Sequence, residues 1–139
     1  MSKESLRQIL LVEDNPADVE LVVEALEEHE VSCDLLVVNN GERAATFLDE
    51  IDAGKQSCPD LFILDLNLPR RPGTELLERM RAGNTCQHVP VVVLTSSDSQ
   101  KDKDAVAKFN PSRYLRKPLT LEDFLQLGGV FKGLLNPTA

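Results

Sequence analysis

Several things are scarce in this chain, and each scarcity narrows what it does. Basic residues are outnumbered: 15 Lys and Arg face 23 Asp and Glu, a formal net charge of −8. Contacts to phosphate backbones need clustered cations, so the balance argues against nucleic-acid binding. No run of about 18 apolar residues occurs, and Met1 to Gln8 carries mixed charges without an apolar signal segment. The expectation is a soluble, unexported, cytoplasmic protein with no membrane partner. Cys33, Cys58 and Cys86 form no CxxC pair and no Cys/His zinc pattern, which predicts reduced thiols rather than a disulfide framework. The two histidines, His29 and His88, fit neither metal nor triad spacing and are predicted to be solvated surface residues. Repeats, low-complexity tracts and long Gly/Ser linkers are missing too. With 139 residues and 42% hydrophobic content, the sequence predicts a single domain over 1–139, its core at about 8–135, with no output domain.

What is present is a regular alternation of short apolar runs with helical patterns, the mark of βα units around a mostly parallel sheet. Five strands are predicted, at Gln8–Val12, Cys33–Val38, Leu61–Leu64, Val91–Leu94 and Ser112–Arg116. The first and fourth are almost wholly apolar, as suits strands buried on both faces. A first helix opens with Asn15 as its cap and Pro16 at the first helical position, followed by a stripe of Val19, Val22, Val23 and Leu26. Further helices are predicted over Gly41–Ile51 and Gly73–Ala82. Ser97-Asp98-Ser99-Gln100 fits a capping box before a fourth helix, and Thr120 with Asp123 caps a last one. In that last helix, Gly128 and Gly129 mark either a bend or a close helix contact.

The chemistry gathers where the apolar runs stop. Glu13 and Asp14 follow the first, Asp65 the third, Thr95 the fourth and Lys117 the fifth. In a parallel sheet these residues meet at the carboxyl edge, where open α/β sheets bind ligands. Three converging carboxylates raise one another's pKa unless a cation neutralises them, and an all-oxygen site suits Mg²⁺, or Mn²⁺ in its place. Taken alone, Glu13-Asp14 reads as a solvated helix entrance, Lys117 as a surface lysine and Tyr114 as a half-buried amphipathic residue. Together, Lys117 and the Thr95 hydroxyl would hold phosphoryl oxygens and, with the cation, offset the charge of a phosphoryl group arriving on Asp65.

The segments Val12-Glu13-Asp14-Asn15, Leu64-Asp65-Leu66-Asn67-Leu68-Pro69, Leu94-Thr95-Ser96 and Tyr114-Leu115-Arg116-Lys117-Pro118 closely resemble the receiver domains of bacterial two-component response regulators. The likeness runs from about Gln8 to the last helix. Val12 to Asp18, with no output domain following, is most similar to the stand-alone regulators associated with bacteriophytochrome kinases. The resemblance implies a doubly wound five-stranded parallel sheet in the order 2-1-3-4-5, flanked by five helices, flavodoxin-like. It implies that Asp65 is the phosphoacceptor, taking its phosphoryl group from a phosphohistidine on a sensor histidine kinase of the bacteriophytochrome kind. Asp14 and Asp65 would then bind Mg²⁺ directly, Glu13 through water and Asn67 through its backbone carbonyl. Thr95 and Lys117 would bind phosphoryl oxygens, while Thr95 and Tyr114 would act as the switch pair. An X-Pro bond is cis in about 5–6% of cases, yet the resemblance implies a cis peptide at Pro118. Ser96, Pro72 and Asn110-Pro111 depart from the commonest receiver pattern, all of them outside the cluster.

Rival readings are a haloacid-dehalogenase-type phosphatase, a docking module that is never phosphorylated, and a flavodoxin-like FMN binder. The first needs a second Asp where Asn67 stands. The second has no use for the full set of Glu13, Asp14, Asp65, Thr95 and Lys117. The third needs a Thr/Ser/Gly-rich phosphate loop where Glu13-Asp14 would repel the ligand. No multi-turnover enzyme is expected. Phe124, Leu125, Phe131 and Leu135 suggest more apolar surface than one buried stripe requires, and with it a homodimer through the last helix and strand face.

Overall fold

The computed structural model describes residues 6–83 and 86–135. Strands and helices alternate without exception: β1 (Arg7–Val12), α1 (Pro16–Glu28), β2 (Cys33–Val38), α2 (Gly41–Asp52), β3 (Leu61–Leu64), α3 (Gly73–Ala82), β4 (Val91–Thr95), α4 (Gln100–Ala107), β5 (Arg113–Arg116) and α5 (Leu121–Leu135). All four strand pairings are parallel, in the order β2-β1-β3-β4-β5. The fold class and strand order are those expected from the sequence.

Period-two alternation sorts each buried strand between two cores. Leu10, Val12, Phe62, Leu64, Val91 and Val93 face Ala44, Leu48, Leu76, Leu77, Met80 and Val106 from α2, α3 and α4. The alternate residues Ile9, Leu11, Leu61, Ile63, Val92 and Leu94 face Val22 and Leu26 of α1 and Phe124, Phe131 and Leu135 of α5. Both faces of the central strands are therefore covered, which explains their unbroken apolar runs. Their polar residues are confined to the strand ends.

The helix starts follow local chemistry. Asn15 Oδ1 accepts from Ala17 N at 2.9 Å with Pro16 opening α1, and Thr120 Oγ1 accepts from Asp123 N at 3.1 Å ahead of α5. The cap of α4 lies two residues beyond its expected place. Ser99, not Ser97, accepts from Asp102 N, at 3.0 Å. Ser97 Oγ is occupied by the Asp102 carboxylate itself, which draws the preceding loop over the helix start.

α1 and α5 pack closely, and Gly128 is the reason. A Cβ there would strike the Ala25 carbonyl and the His29 ring, so the glycine marks a close helix contact inside an unbroken α5 rather than a bend. His29, expected in solvent, is half-buried between these helices and its Nε2 donates to the Leu125 carbonyl at 3.1 Å. His88 is exposed, as expected.

At the opposite edge of the sheet from the strand ends, Arg81 of α3 binds two loops at once. Its guanidinium donates to the carbonyls of Gln87, Val89, Phe109 and Asn110 at 2.8–3.1 Å. Nearby, Cys58 and Cys86 form a disulfide with Cα atoms 5.8 Å apart, within the usual range for such a bond. Reduced thiols were expected. Cys58 precedes β3 and Cys86 precedes β4, and neighbouring parallel strands bring their entry loops together. Cys33 is the free cysteine.

Candidate functional site

Parallel pairing aligns the ends of β1, β3, β4 and β5. Val12 lies opposite Leu64, and the backbone continues the ladder one residue further, with Asp65 N donating to Val12 O at 3.1 Å. Glu13 N donates to Val38 O at 3.0 Å and Lys117 N to Thr95 O at 2.8 Å. These bonds fix the backbone beneath Glu13, Asp65 and Lys117. Thr95 is itself the last residue of β4, one position inside the strand rather than just past it.

The loop after β3 is held by Gly73 at the start of α3. Its N–H donates to the Leu66 carbonyl at 3.1 Å, and a Cβ would run into the Asp65 carbonyl and Leu66 Cα. Only glycine permits this approach. Asp65 Oδ1 accepts from Asn67 N at 3.0 Å, which orients the carboxylate.

Three carboxylates converge as the sequence predicts. Glu13, Asp14 and Asp65 each offer an oxygen within 4.8 Å of the others. Glu13 and Asp65 are buried, at 2% and 5% exposure, whereas Asp14 is exposed. The arrangement thus has a buried floor and an open mouth. Burial pushes the Glu13 carboxyl up to about 7, with the Lys117 hydrogen bond opposing this and the Asp65 charge adding to it. A buried carboxylate held this high lacks sufficient compensating charge, and an oxygen donor set open to water on one side suits a hard divalent cation. The residues present fit Mg²⁺ or Mn²⁺.

Lys117 lies at the centre of the cluster. Its Nζ is 2.9 Å from Glu13 Oε1, 2.7 Å from Asp18 Oδ2 and 2.8 Å from Asp65 Oδ2. Burial alone would lower this ammonium, but the carboxylates of Asp18, Asp65 and Glu13 more than reverse that and raise it above the ordinary lysine range. Asp18 was not singled out from the sequence. Its signal was its place in the first turn of α1, four residues after Asp14 and facing the same edge.

Thr95 is fully buried, and its hydroxyl accepts from Ser97 N and Asn67 Nδ2, both at a long 3.4 Å. Tyr114 is half-buried among the residues packed under α4, with its hydroxyl donating to Ser97 O at 3.0 Å. Both residues therefore contact the same β4–α4 loop. No described peptide bond is cis, so the Lys117–Pro118 bond is trans, against expectation. Trans is the form X-Pro prefers by about 0.5–1 kcal/mol, and from it Lys117 reaches all three carboxylates. The apolar surface expected on α5 is mostly absent as well. Phe124, Phe131 and Leu135 fill the core and Leu125 is half-buried, which removes the stated basis for a homodimer. Among the described residues no helix is long and apolar enough to cross a membrane.

Known proteins match this chain over most of its length. Residues 9–127 match the family described as response regulator receiver domain. Response regulator Rcp1 of Synechocystis sp. is 36% identical over 120 residues, covering 86% of this chain and 82% of Rcp1. The solved structure of the phosphorylated cyanobacterial phytochrome response regulator RcpA superposes with a TM-score of 0.87 at 32% identity, covering 97% of this chain and 98% of that one. The Mn(2+)-bound form of Rcp1 gives a TM-score of 0.84 at 32% identity, covering 96% of both chains.

Proposed function

Because the chain belongs to the response regulator receiver domains and acts in two-component signalling, we propose that it does so by accepting a phosphoryl group on Asp65 and changing its partner-binding face. The observation that carries this reading is the convergence of Lys117 Nζ on Asp65 Oδ2, at 2.8 Å, inside a cluster of carboxylates.

An Asp65 carboxylate oxygen attacks the phosphorus of a phosphohistidine on a sensor histidine kinase. The O–P bond forms, the P–N bond breaks, and its electron pair returns to the imidazole nitrogen, giving an acyl phosphate on Asp65. Lys117 then donates to a phosphoryl oxygen as a point charge, and the Thr95 hydroxyl supplies a second donor. Asp14 and Asp65 would hold Mg²⁺ directly, with Glu13 acting through water and Asn67 lending its backbone carbonyl. The cation would neutralise these carboxylates and the charge on the transferring oxygens. The RcpA structure is described as phosphorylated and the Rcp1 structure as Mn(2+)-bound, and both descriptions support the reading.

The long hydrogen bonds of Thr95 leave its hydroxyl weakly held in the resting protein. Drawn to the phosphoryl group, it pulls on the loop that also carries the Tyr114 contact, and Tyr114 turns inward. Phosphorylation so biases two arrangements of the face formed by α4, β5 and α5. The kinase is a bacteriophytochrome in this reading, given the phytochrome regulator among the similar structures. No substrate is turned over beyond the chain's own acyl phosphate.

Incubation with acetyl phosphate and Mg²⁺, followed by intact mass, tests the proposal. A single alkali-sensitive phosphoryl group is expected, abolished by Asp65→Asn or by EDTA. An unchanged mass refutes the switch. Modification that survives Asp65→Asn refutes only the acceptor.

A further inference from the structure

We propose that Asp18 is a positioning residue that anchors the Lys117 ammonium throughout the phosphorylation cycle, an inference resting on the phosphoryl-acceptor reading above. A lysine ammonium has three N–H donors. In this structure they are directed to Glu13, Asp18 and Asp65, with the shortest contact, 2.7 Å, to Asp18.

The three carboxylates differ in what else they do. Glu13 and Asp65 belong to the oxygen cluster with Asp14, and Asp65 is also oriented by the Asn67 N–H. Asp18 lies outside that cluster, and its carboxylate has no other side-chain or backbone partner among the described residues. When an Asp65 oxygen becomes bonded to phosphorus and Glu13 turns to the cation, two of the ammonium's partners change role. Asp18 does not. It is carried on the first turn of α1, which Asn15 caps and Pro16 stiffens, and so it stands on a rigid element beside the site. Lys117 reaches the cluster on a flexible four-carbon stem and samples many rotamers unless something fixes it. Asp18 holds the ammonium at the carboxyl edge while leaving two N–H groups to serve the transferred group. An acidic residue in a helix's first turn also favours the helix macrodipole, and the test must separate that purely structural role from the anchoring.

Two measurements do so. The first is the initial phosphorylation rate with acetyl phosphate at saturating Mg²⁺, for the unmodified protein, Asp18→Ala, Asp18→Asn, Lys117→Ala and the double variant Asp18→Ala/Lys117→Ala. Asp18→Ala should slow the reaction about tenfold, the usual size for one hydrogen bond to a charged group. Asp18→Asn keeps an acceptor oxygen and should fall between the two. In the Lys117→Ala background the Asp18 change should have no effect, whereas a structural role would slow both backgrounds alike. The second is the Lys117 side-chain NH₃⁺ resonance of ¹⁵N-labelled protein with Mg²⁺ present. It should be visible at low temperature in the unmodified protein and lost to exchange in Asp18→Ala. An unslowed Asp18→Ala, an equal slowing in both backgrounds, or a persisting ammonium resonance overturns the anchor. Failure of the unmodified protein to gain any phosphoryl group overturns the underlying reading instead, and the resonance then still decides whether Asp18 holds Lys117.

Discussion

Lys117 Nζ lies 2.8 Å from Asp65 Oδ2 although 52 residues separate them in the chain. They meet because β3 and β5 flank β4 in a parallel sheet and end at the same edge. The ammonium also offsets charge on Glu13 and Asp18, so it contributes to stability in addition to the phosphoryl-binding role proposed for it. Removing one member of a buried charged group leaves its partners uncompensated, at a cost on the order of 3 kcal/mol. Lys117→Met should therefore lower the stability of the metal-free protein by roughly that amount at pH 7. Urea unfolding in EDTA checks it, and an unchanged midpoint would contradict the described cluster.

Glu13 gives a pH dependence of definite sign. Its carboxyl moves from an ordinary value of 4.5 to about 7 in the folded protein. Between those values the folded state holds a proton that the unfolded state has released, so stability falls as pH rises through the window and is constant on either side. At about 1.4 kcal/mol per pH unit, the loss is on the order of 3 kcal/mol. Glu13→Gln abolishes this titration. Its stability relative to the unmodified protein should rise between pH 4.5 and 7 in EDTA, as read by chemical denaturation at several pH values. A pH-independent difference would remove burial as the dominant influence on Glu13.

The adjacent glycines of α5 should respond in opposite ways to the same change. Gly128→Ala drives a Cβ into the Ala25 carbonyl and the His29 ring, and should destabilise by about 2 kcal/mol. At Gly129 a new Cβ comes no nearer than 3.4 Å to the His29 ring. There the gain in helix propensity, about 1 kcal/mol, should leave the protein as stable or more so. Melting temperatures of the two variants decide it, and equal effects would contradict the described α1–α5 packing.

Thiol counting tests the cross-link. Denatured without reductant, the protein should present one reactive thiol, Cys33, and after reduction three. A bond closing a loop across a sequence separation of 28 constrains the unfolded chain, so reduction should cost about 3 kcal/mol in the unfolding free energy. Three thiols before reduction would show the bond absent.

The central strands and most of the site were legible in the sequence for one physical reason. Buried strands must be apolar, so Glu13, Asp65 and Thr95 are conspicuous where Leu11-Val12, Ile63-Leu64 and Val93-Leu94 give out, whereas Lys117 follows an edge strand whose Tyr114 and Leu115 are only half-buried. Less legible were features set by contacts between distant segments. The Cys58–Cys86 pairing follows from adjacent entry loops, which spacing alone does not show. His29 looks like a solvated residue until α5 brings the Leu125 carbonyl to it. The α5 aromatics look like surplus surface until α1 and the sheet cover them. Ser97 outwardly matched a capping residue, but Asp102 and Tyr114 engage it in other ways. Asp18 was hidden by its ordinariness, since acidic residues are common in the first turn of any helix.

Arg81 has a mechanical consequence. Its guanidinium clamps Phe109 and Asn110, just beyond the end of α4, to Gln87 and Val89, ahead of β4. The other end of α4 is tied to the Ser97 loop near the carboxylates. With one tip pinned and the other tied to the Ser97 loop, the proposed displacement of that loop would swing this helix about its pinned tip rather than slide it along its length. Amides beside Ser97 should then lose hydrogen-exchange protection on activation while those of Phe109 and Asn110 keep theirs. Arg81→Lys, offering one nitrogen where three are used, would loosen the hinge pin.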